Sequence, residues 1–143
     1  MKKFLKIIVS FFLISFYFLK AEQAESLVPY YYFPAIKNLE KESLSISKDA
    51  YQLLYFGQYK QSLNLAKLAV KLNNTNEKLW LILAEAQLAN KLYKKALISL
   101  NKAEDINSNI SEIYLLKSNV YLKISKIQSA KSALESGLNL DNL

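Results

Sequence analysis

The 143-residue sequence contains no cysteine, no histidine and no arginine, so all nineteen of its basic residues are lysines. Without histidine or cysteine, the chain cannot form a Ser-His or Cys-His catalytic couple, or a zinc site with nitrogen or thiolate ligands. The acid–base groups that remain are carboxylates, lysines and tyrosines, and none are paired at a catalytic spacing. We therefore expect a protein that is not an enzyme and that holds no metal and no cofactor.

Residues that break helices are also scarce, because only two glycines and two prolines occur. Leucine, alanine, lysine, isoleucine and asparagine dominate the composition, which favours an all-α fold. A chain of this length is long enough to bury one continuous core.

Much of the formal charge of +7 comes from the first twenty residues, which contain Lys2, Lys3, Lys6 and Lys20. Beyond Ala21, fifteen lysines face twelve acidic residues, which leaves a net charge of +3. These charges are interspersed, as on solvated helix faces. Nucleic-acid binding normally uses a basic stripe and arginine, so we expect no nucleic-acid partner.

Residues 1–25 have the pattern of a targeting segment, in which a basic start, MKKFLK, precedes an apolar run over residues 7–19. Such a run has the length of a signal-peptide core, whereas a membrane-spanning helix needs about twenty residues. Cleavage after Ala21 would place Leu19, which is larger than usual, at the −3 position. Two alternatives follow: cleavage and export to a periplasm or thylakoid lumen, or an uncleaved anchor. The anchor would contact the membrane through residues 4–19 and keep the remainder outside the cytoplasm.

Residues 26–42 form a predicted connector with four consecutive aromatic residues. Pro29 and Pro34 bracket the sequence YYYF and favour an extended backbone there. This stretch is too apolar for a free linker. It would either fold back over the first helix pair, or bind a partner or a membrane–water interface.

From residue 43 onwards the sequence repeats with a period of 34 residues. The positions in register are Tyr59, Tyr93 and Ile127; Ser62, Ala96 and Ala130; Ala66, Leu100 and Leu134; Ala69, Ala103 and Gly137; Ile46, Trp80 and Tyr114; and Ala50, Ala84 and Ser118. This spacing resembles the tetratricopeptide repeat (TPR), with units at 43–76, 77–110 and 111–143. The resemblance implies a short α-solenoid of three helix hairpins, preceded by the N-terminal hydrophobic helix.

The turns and caps of these hairpins can also be predicted. Gly57 fits a left-handed residue at the first interhelix turn, whereas Lys91 and Ser125 at the equivalent positions indicate a different turn geometry. The segments 74–77 and 109–112 both have the pattern of an N-cap followed by glutamate.

Two departures from the repeat pattern are informative. Lys117 replaces the apolar residue that the middle unit has at Leu83, and its stem can extend over apolar neighbours. The last helix, predicted over residues 129–140, leaves Leu134 and Leu138 partly uncovered. Three alternatives follow: a surface for a partner, a surface for self-association, or a frayed terminus.

In a TPR solenoid, function belongs to the groove lined by the first helix of each pair. By resemblance, the groove-facing residues are Ser47, Tyr51, Leu54 and Tyr55; Lys78, Leu81, Glu85 and Leu88; and Glu112, Leu115, Asn119, Leu122 and Lys123. Some TPR domains clamp a C-terminal carboxylate with lysine and asparagine, but Tyr51 and Glu85 stand where asparagine is needed. The alternative assigns Tyr51, Tyr55 and the leucines to internal packing.

These observations predict a non-catalytic protein–protein interaction module, a scaffold or assembly factor that is exported or membrane-anchored. Its partner would be another protein, bound through a peptide or helix segment in an apolar groove, and a membrane complex is one candidate. The alternative is a structural subunit that self-associates through its C-terminal end.

Overall fold

The computed structural model describes residues 37–141, with side chains to residue 140, and this range contains six α-helices. They are α1 (37–55), α2 (Tyr59–Leu72), α3 (Glu77–Ala89), α4 (Tyr93–Ile106), α5 (Ser111–Lys123) and α6 (Ile127–Asp141). They pair as three successive hairpins, which confirms the predicted all-α solenoid. Across residues 37–141, no helix combines the length and the apolar character that a bilayer crossing requires.

The predicted targeting segment and the YYYF sequence of the connector lie outside the described residues, so the N-terminal hydrophobic helix stays a prediction. Residues 37–42, the last part of the predicted connector, already belong to α1. The second and third hairpins begin at Glu77 and Ser111, at the predicted starts of the second and third repeats.

Small residues allow the two helices of each hairpin to approach closely, as the repeat pattern predicts. The six residues expected at these contacts are all buried: Ala50 and Ser62, Ala84 and Ala96, and Ser118 and Ala130. At Gly137 of α6, an added Cβ would lie 3.3 Å from the Ser111 carbonyl oxygen and from the Tyr114 Cβ atom. Larger side chains at these positions would overpack the hairpins.

The buried apolar residues form two clusters that follow each other along the solenoid. The first joins α1, α2 and α3 through Ala50, Leu63, Ala66, Ala69, Val70, Leu79, Leu83 and Ala86. The second joins α3, α4 and α5 through Leu81, Ala84, Ala96, Leu100, Ala103, Ile113 and Val120. The first and second hairpins are therefore each stabilised by the first helix of the next hairpin as well as by their own pairing.

Trp80 of α3 packs against both clusters and links them. The Trp80 side chain is half-buried, and its Nε1–H donates a hydrogen bond of 2.9 Å to the Asn74 carbonyl oxygen. Tyr114, in register one hairpin later, donates its hydroxyl to the Ser108 carbonyl oxygen at 3.1 Å. Each large aromatic residue thus fastens the loop six residues before it to the start of its helix.

All three interhelix turns have the same geometry. Gly57 has a φ of +74°, and Lys91 and Ser125 both have a φ of 60°. In each turn the next residue donates its N–H to the carbonyl five residues back: Gln58 to Leu53 (2.8 Å), Leu92 to Gln87 (2.8 Å) and Lys126 to Tyr121 (2.9 Å). The prediction of a different geometry for the second and third turns is wrong, because the hairpin imposes a left-handed residue whatever its type.

The helix caps match the prediction at one of the two sites. At the start of α3, the Asn76 side chain accepts the Lys78 N–H at 2.9 Å, as expected for an N-cap. At the start of α5 the N-cap residue is Ile110, which makes no side-chain cap. The Asn107 side chain accepts the Asn109 N–H at 3.1 Å instead, so asparagine there stabilises the preceding turn.

The Lys117 side chain is buried, and its charged Nζ atom contacts other groups of the protein. Its Nζ atom pairs with the Glu104 carboxylate of α4 and lies 6.0 Å from the centre of the Tyr114 ring. The ion pair therefore joins the second hairpin to the third, in place of the apolar contact that Leu83 makes one repeat earlier.

Candidate functional site

The first helices of the three hairpins line one open hollow with a volume of about 370 Å³, here called the central hollow. Six residues predicted to face the groove line it: Tyr51, Leu54, Tyr55, Glu85, Leu88 and Asn119. Ala89 and Leu116, which were not predicted, complete its wall. The hollow is therefore formed by α1, α3 and α5, the helices to which the sequence pattern assigned the groove.

Two tyrosines on α1 give the central hollow an exposed aromatic edge. Tyr51 and Tyr55 have 55% and 84% of their surface exposed, so the alternative assignment to internal packing is wrong for both. The Tyr55 ring meets the exposed Phe56 ring edge-on, with 5.5 Å between the centres. Exposed aromatic surface next to an apolar wall is typical of binding sites for other proteins.

Glu85 is the single charged residue that lines the central hollow. Burial raises the pKa of its carboxyl above the usual glutamate value, and the negative charge of nearby Glu112 raises it further. No ion pair within residues 37–141 involves Glu85, because the paired acids there are Glu104, Asp105 and Glu135. The hollow therefore combines an apolar and aromatic wall with one uncompensated carboxylate.

Leu81 does not face the central hollow. It is 5% exposed and packs with Ala96 and Leu100 of α4 in the second cluster, so its predicted place in the groove is wrong. The cause lies in α3, which has apolar residues on almost every side, including the buried Leu79 and Leu83. Spacing alone could not tell which of these leucines faces the groove.

Leu115 is also displaced from its predicted role. Its Cδ2 atom lies 3.8 Å from the position of a Cβ on Gly137, so this side chain is directed towards α6. Leu116 takes its place in the central hollow, and one residue corresponds to a rotation of about 100° around a helix. The i, i+3, i+4 spacing of Tyr51, Leu54 and Tyr55 would have identified Ala89 from Glu85, and Leu116 from Asn119.

The other predicted groove residues lie elsewhere. Lys78, Glu112, Leu122 and Lys123 are exposed but do not line the central hollow. Ser47 is buried, and its hydroxyl donates a hydrogen bond of 2.8 Å to the Leu44 carbonyl oxygen.

A second hollow, of about 500 Å³, lies between α5 and α6. It is lined by Tyr114, Lys117, Tyr121, Gln128, Ser129, Ser132, Ala133 and Ser136. The one charged group among these residues, Lys117, is already paired with Glu104. Within residues 37–141, no group of three or more acidic side chains is placed to hold a metal ion.

Comparison with solved structures places the fold among TPR domains. The second TPR of Spaghetti (RPAP3), bound to the HSP90 peptide SRMEEVD, superposes with a TM-score of 0.69 at 19% identity, over 75% of this chain and 98% of that chain. The Arabidopsis OM64 TPR domain gives 0.69 at 19% identity, over 73% and 86%. PcrH in complex with the chaperone binding region of PopD gives 0.67 at 16% identity, over 71% and 76%.

No family model and no curated protein sequence matches this chain. The structural likenesses establish the TPR fold, as the repeat pattern predicted.

Proposed function

We propose that residues 37–141 form a non-catalytic interaction module that holds a segment of a partner protein in the central hollow. The observation that carries this proposal is the exposed edge of Tyr51 and Tyr55 beside the apolar side chains of Leu54, Leu88 and Leu116. An extended or helical segment can insert apolar side chains between these residues and bury surface that the free protein exposes to water.

Two of the similar structures support this use of the fold. The Spaghetti domain is bound to a peptide of HSP90, and PcrH is bound to the chaperone binding region of PopD. Each of these two structures therefore contains a segment of another protein. A scaffold or assembly role for this chain would use the same property, with a different partner.

We further propose that the module acts outside the cytoplasm, either exported or anchored by residues 1–25. The support is the sequence pattern of that segment, a basic start followed by an apolar run. Intact-mass measurement of the protein from each cell fraction tests this. A shortened protein in the periplasm or lumen means export, and a full-length protein in the membrane fraction means anchoring. A full-length protein in the cytosol would contradict both.

The first test of the binding proposal is Tyr55→Ala, measured by affinity capture from a detergent extract of the native host. Because Tyr55 is 84% exposed, its truncation leaves the core intact. We expect the amount of captured partner to fall about tenfold, since aromatic side chains contribute much of the binding energy at protein interfaces.

Ile98→Ala is the matched control, because Ile98 is 62% exposed on α4 and does not line the central hollow. It should capture as much partner as the wild type, and both variants should keep the wild-type helical circular dichroism. Equal capture by Tyr55→Ala and the wild type would contradict binding in the hollow.

Self-association is the second candidate function, and the exposed leucines of α6 favour it. Leu134 and Leu138 are 40% and 49% exposed. Sedimentation equilibrium over a hundredfold range of concentration should show a mass that rises with concentration, and Leu134→Lys should suppress the rise. A constant monomer mass would exclude this candidate.

A further inference from the structure

The charge pattern of the central hollow indicates which kind of segment it accepts. Its wall contains one carboxylate, Glu85, and no lysine. Tyr51 and Tyr55 stand at the same hollow, with most of their surface exposed. The second nearby charge, on Glu112, is also negative.

We infer that the central hollow binds a segment in which a lysine or arginine is flanked by apolar residues, with the cation paired to Glu85. This inference rests on the proposed function and adds the chemical class of the partner. The apolar residues of the segment would contact Leu54, Leu88 and Leu116, while its cation would lie against the carboxylate and the tyrosine rings.

Three physical terms favour a cation at this place. The Glu85 carboxylate is partly buried and has no opposite charge beside it. A cation from the segment would replace the lost hydration with a direct electrostatic attraction. Tyrosine faces attract ammonium and guanidinium groups, and this attraction grows as the cation is desolvated. Glu112 adds attraction from outside the wall, because charges near a low-dielectric surface act over several ångströms.

The same pattern disfavours an acidic segment. A carboxylate brought into the hollow would face Glu85 without a lysine to neutralise either charge. The Spaghetti domain is bound to SRMEEVD, whose last four residues carry four acidic groups when the terminal carboxylate is counted. We therefore expect this chain to reject SRMEEVD, although it shares the fold of a domain that binds it.

The experiment is selection of peptides from a displayed random dodecapeptide library by the full-length protein in detergent micelles, in parallel with Glu85→Gln. Selected peptides should be enriched in lysine or arginine beside leucine and aromatic residues. For the best peptide, replacing its cation with norleucine should weaken the dissociation constant about tenfold for the wild type. For Glu85→Gln the same replacement should weaken it only about threefold, because the Glu85 charge is gone and the tyrosine rings and Glu112 alone still attract the cation.

Glu135→Gln is the matched control, since it removes the same charge from an exposed ion pair with Lys131 on α6, outside the central hollow. It should select the same cationic peptides as the wild type. SRMEEVD should bind every variant at least about tenfold more weakly than the selected peptide.

The outcomes separate the two proposals. Selection of apolar peptides without a cation overturns the inference and leaves the proposed function standing, and so does an unchanged cation preference in Glu85→Gln. An equal loss of preference in Glu135→Gln also overturns it, because net charge would then be the cause. If the wild type selects no peptide at all, the proposed function fails and the inference fails with it.

Discussion

At the scale of single residues, the Ser62 hydroxyl is a polar group that the other two repeats lack at the equivalent position. This hydroxyl is fully buried and has no hydrogen-bond partner within residues 37–141. The equivalent residues of the other two hairpins are Ala96 and Ala130, which place no polar atom there. A buried hydroxyl without a partner costs free energy that an alanine would not.

We therefore expect Ser62→Ala to raise the free energy of unfolding by about 1 kcal/mol, measured by urea denaturation. Ser99→Ala is the matched control, because the buried Ser99 hydroxyl donates a hydrogen bond of 2.8 Å to the Gln87 side-chain oxygen. It should lower the free energy of unfolding by a similar amount. A loss of stability in Ser62→Ala would mean that its hydroxyl does have a partner.

The sequence could predict which residues line the central hollow only where one face of a helix differs in composition from its other faces. Tyr51 and Tyr55 are large and exposed on α1, and the spacing i, i+4 placed them together. On α3, by contrast, Leu81 and Leu88 have the same side chain, and they differ because Leu81 is buried within the second cluster whereas Leu88 packs at its edge and lines the hollow. Contacts with neighbouring helices determine which of two such leucines faces the hollow. The sequence pattern of a single helix does not contain this information.

At the scale of helices and turns, the three interhelix turns share a backbone that only one of them adopts without strain. Gly57 takes the left-handed conformation freely, whereas Lys91 and Ser125 have a Cβ that disfavours it by about 1–2 kcal/mol. The residue types predicted a different geometry for the turns at Lys91 and Ser125, because the local preference of these residues disfavours the left-handed region. The packing of the helices on both sides of each turn stabilises the fold by more free energy than the strain at one residue costs.

Substitutions at the glycine turn and at the two other turns should therefore change the free energy of unfolding in opposite directions. Lys91→Gly and Ser125→Gly should each raise the free energy of unfolding by about 0.5–1 kcal/mol, after the larger entropy of glycine in the unfolded chain is subtracted. Gly57→Ala should lower it by about 1 kcal/mol, measured by thermal and urea denaturation.

Gly57→Ala isolates the backbone term, because an added Cβ at Gly57 would meet no atom within 4 Å. A steric clash therefore cannot explain a loss of stability in this variant. If Gly57→Ala were as stable as the wild type, the left-handed turn would contribute no strain, and the gain expected at Lys91 would disappear as well.

At the scale of the whole described chain, stability depends on how the hairpins are joined. Trp80 contacts both apolar clusters, and the Lys117–Glu104 pair is a further link between the second and third hairpins. The period of 34 residues predicted the order and number of these hairpins correctly. It could not predict the ion pair, because Lys117 and Glu104 lie on different helices and their pairing needs the solenoid.

Trp80→Ala should therefore lower the free energy of unfolding by about 3 kcal/mol and also weaken cooperativity. Hydrogen exchange followed by mass spectrometry should show α1 and α2 opening at lower urea concentration than α5 and α6. Tyr114→Phe is the control, because it keeps the ring and removes only the hydroxyl, which bonds to the Ser108 carbonyl and interacts with Glu104. Uniform exchange across all six helices in Trp80→Ala would contradict a linking role for the indole.

The walls of the central hollow come from three different hairpins, with Tyr55 on α1, Leu88 on α3 and Asn119 on α5. A stacked array of this kind behaves as a spring, because each hairpin contacts only its neighbours and small rotations add along the stack. Under the proposed function, tension along the solenoid would separate the walls and weaken the binding of the partner segment. A segment that bridges them would in turn stiffen the spring, because the two effects are linked by the same free energy. Under the proposed function, the affinity of the hollow for its segment would therefore fall as the mechanical load on the chain rises.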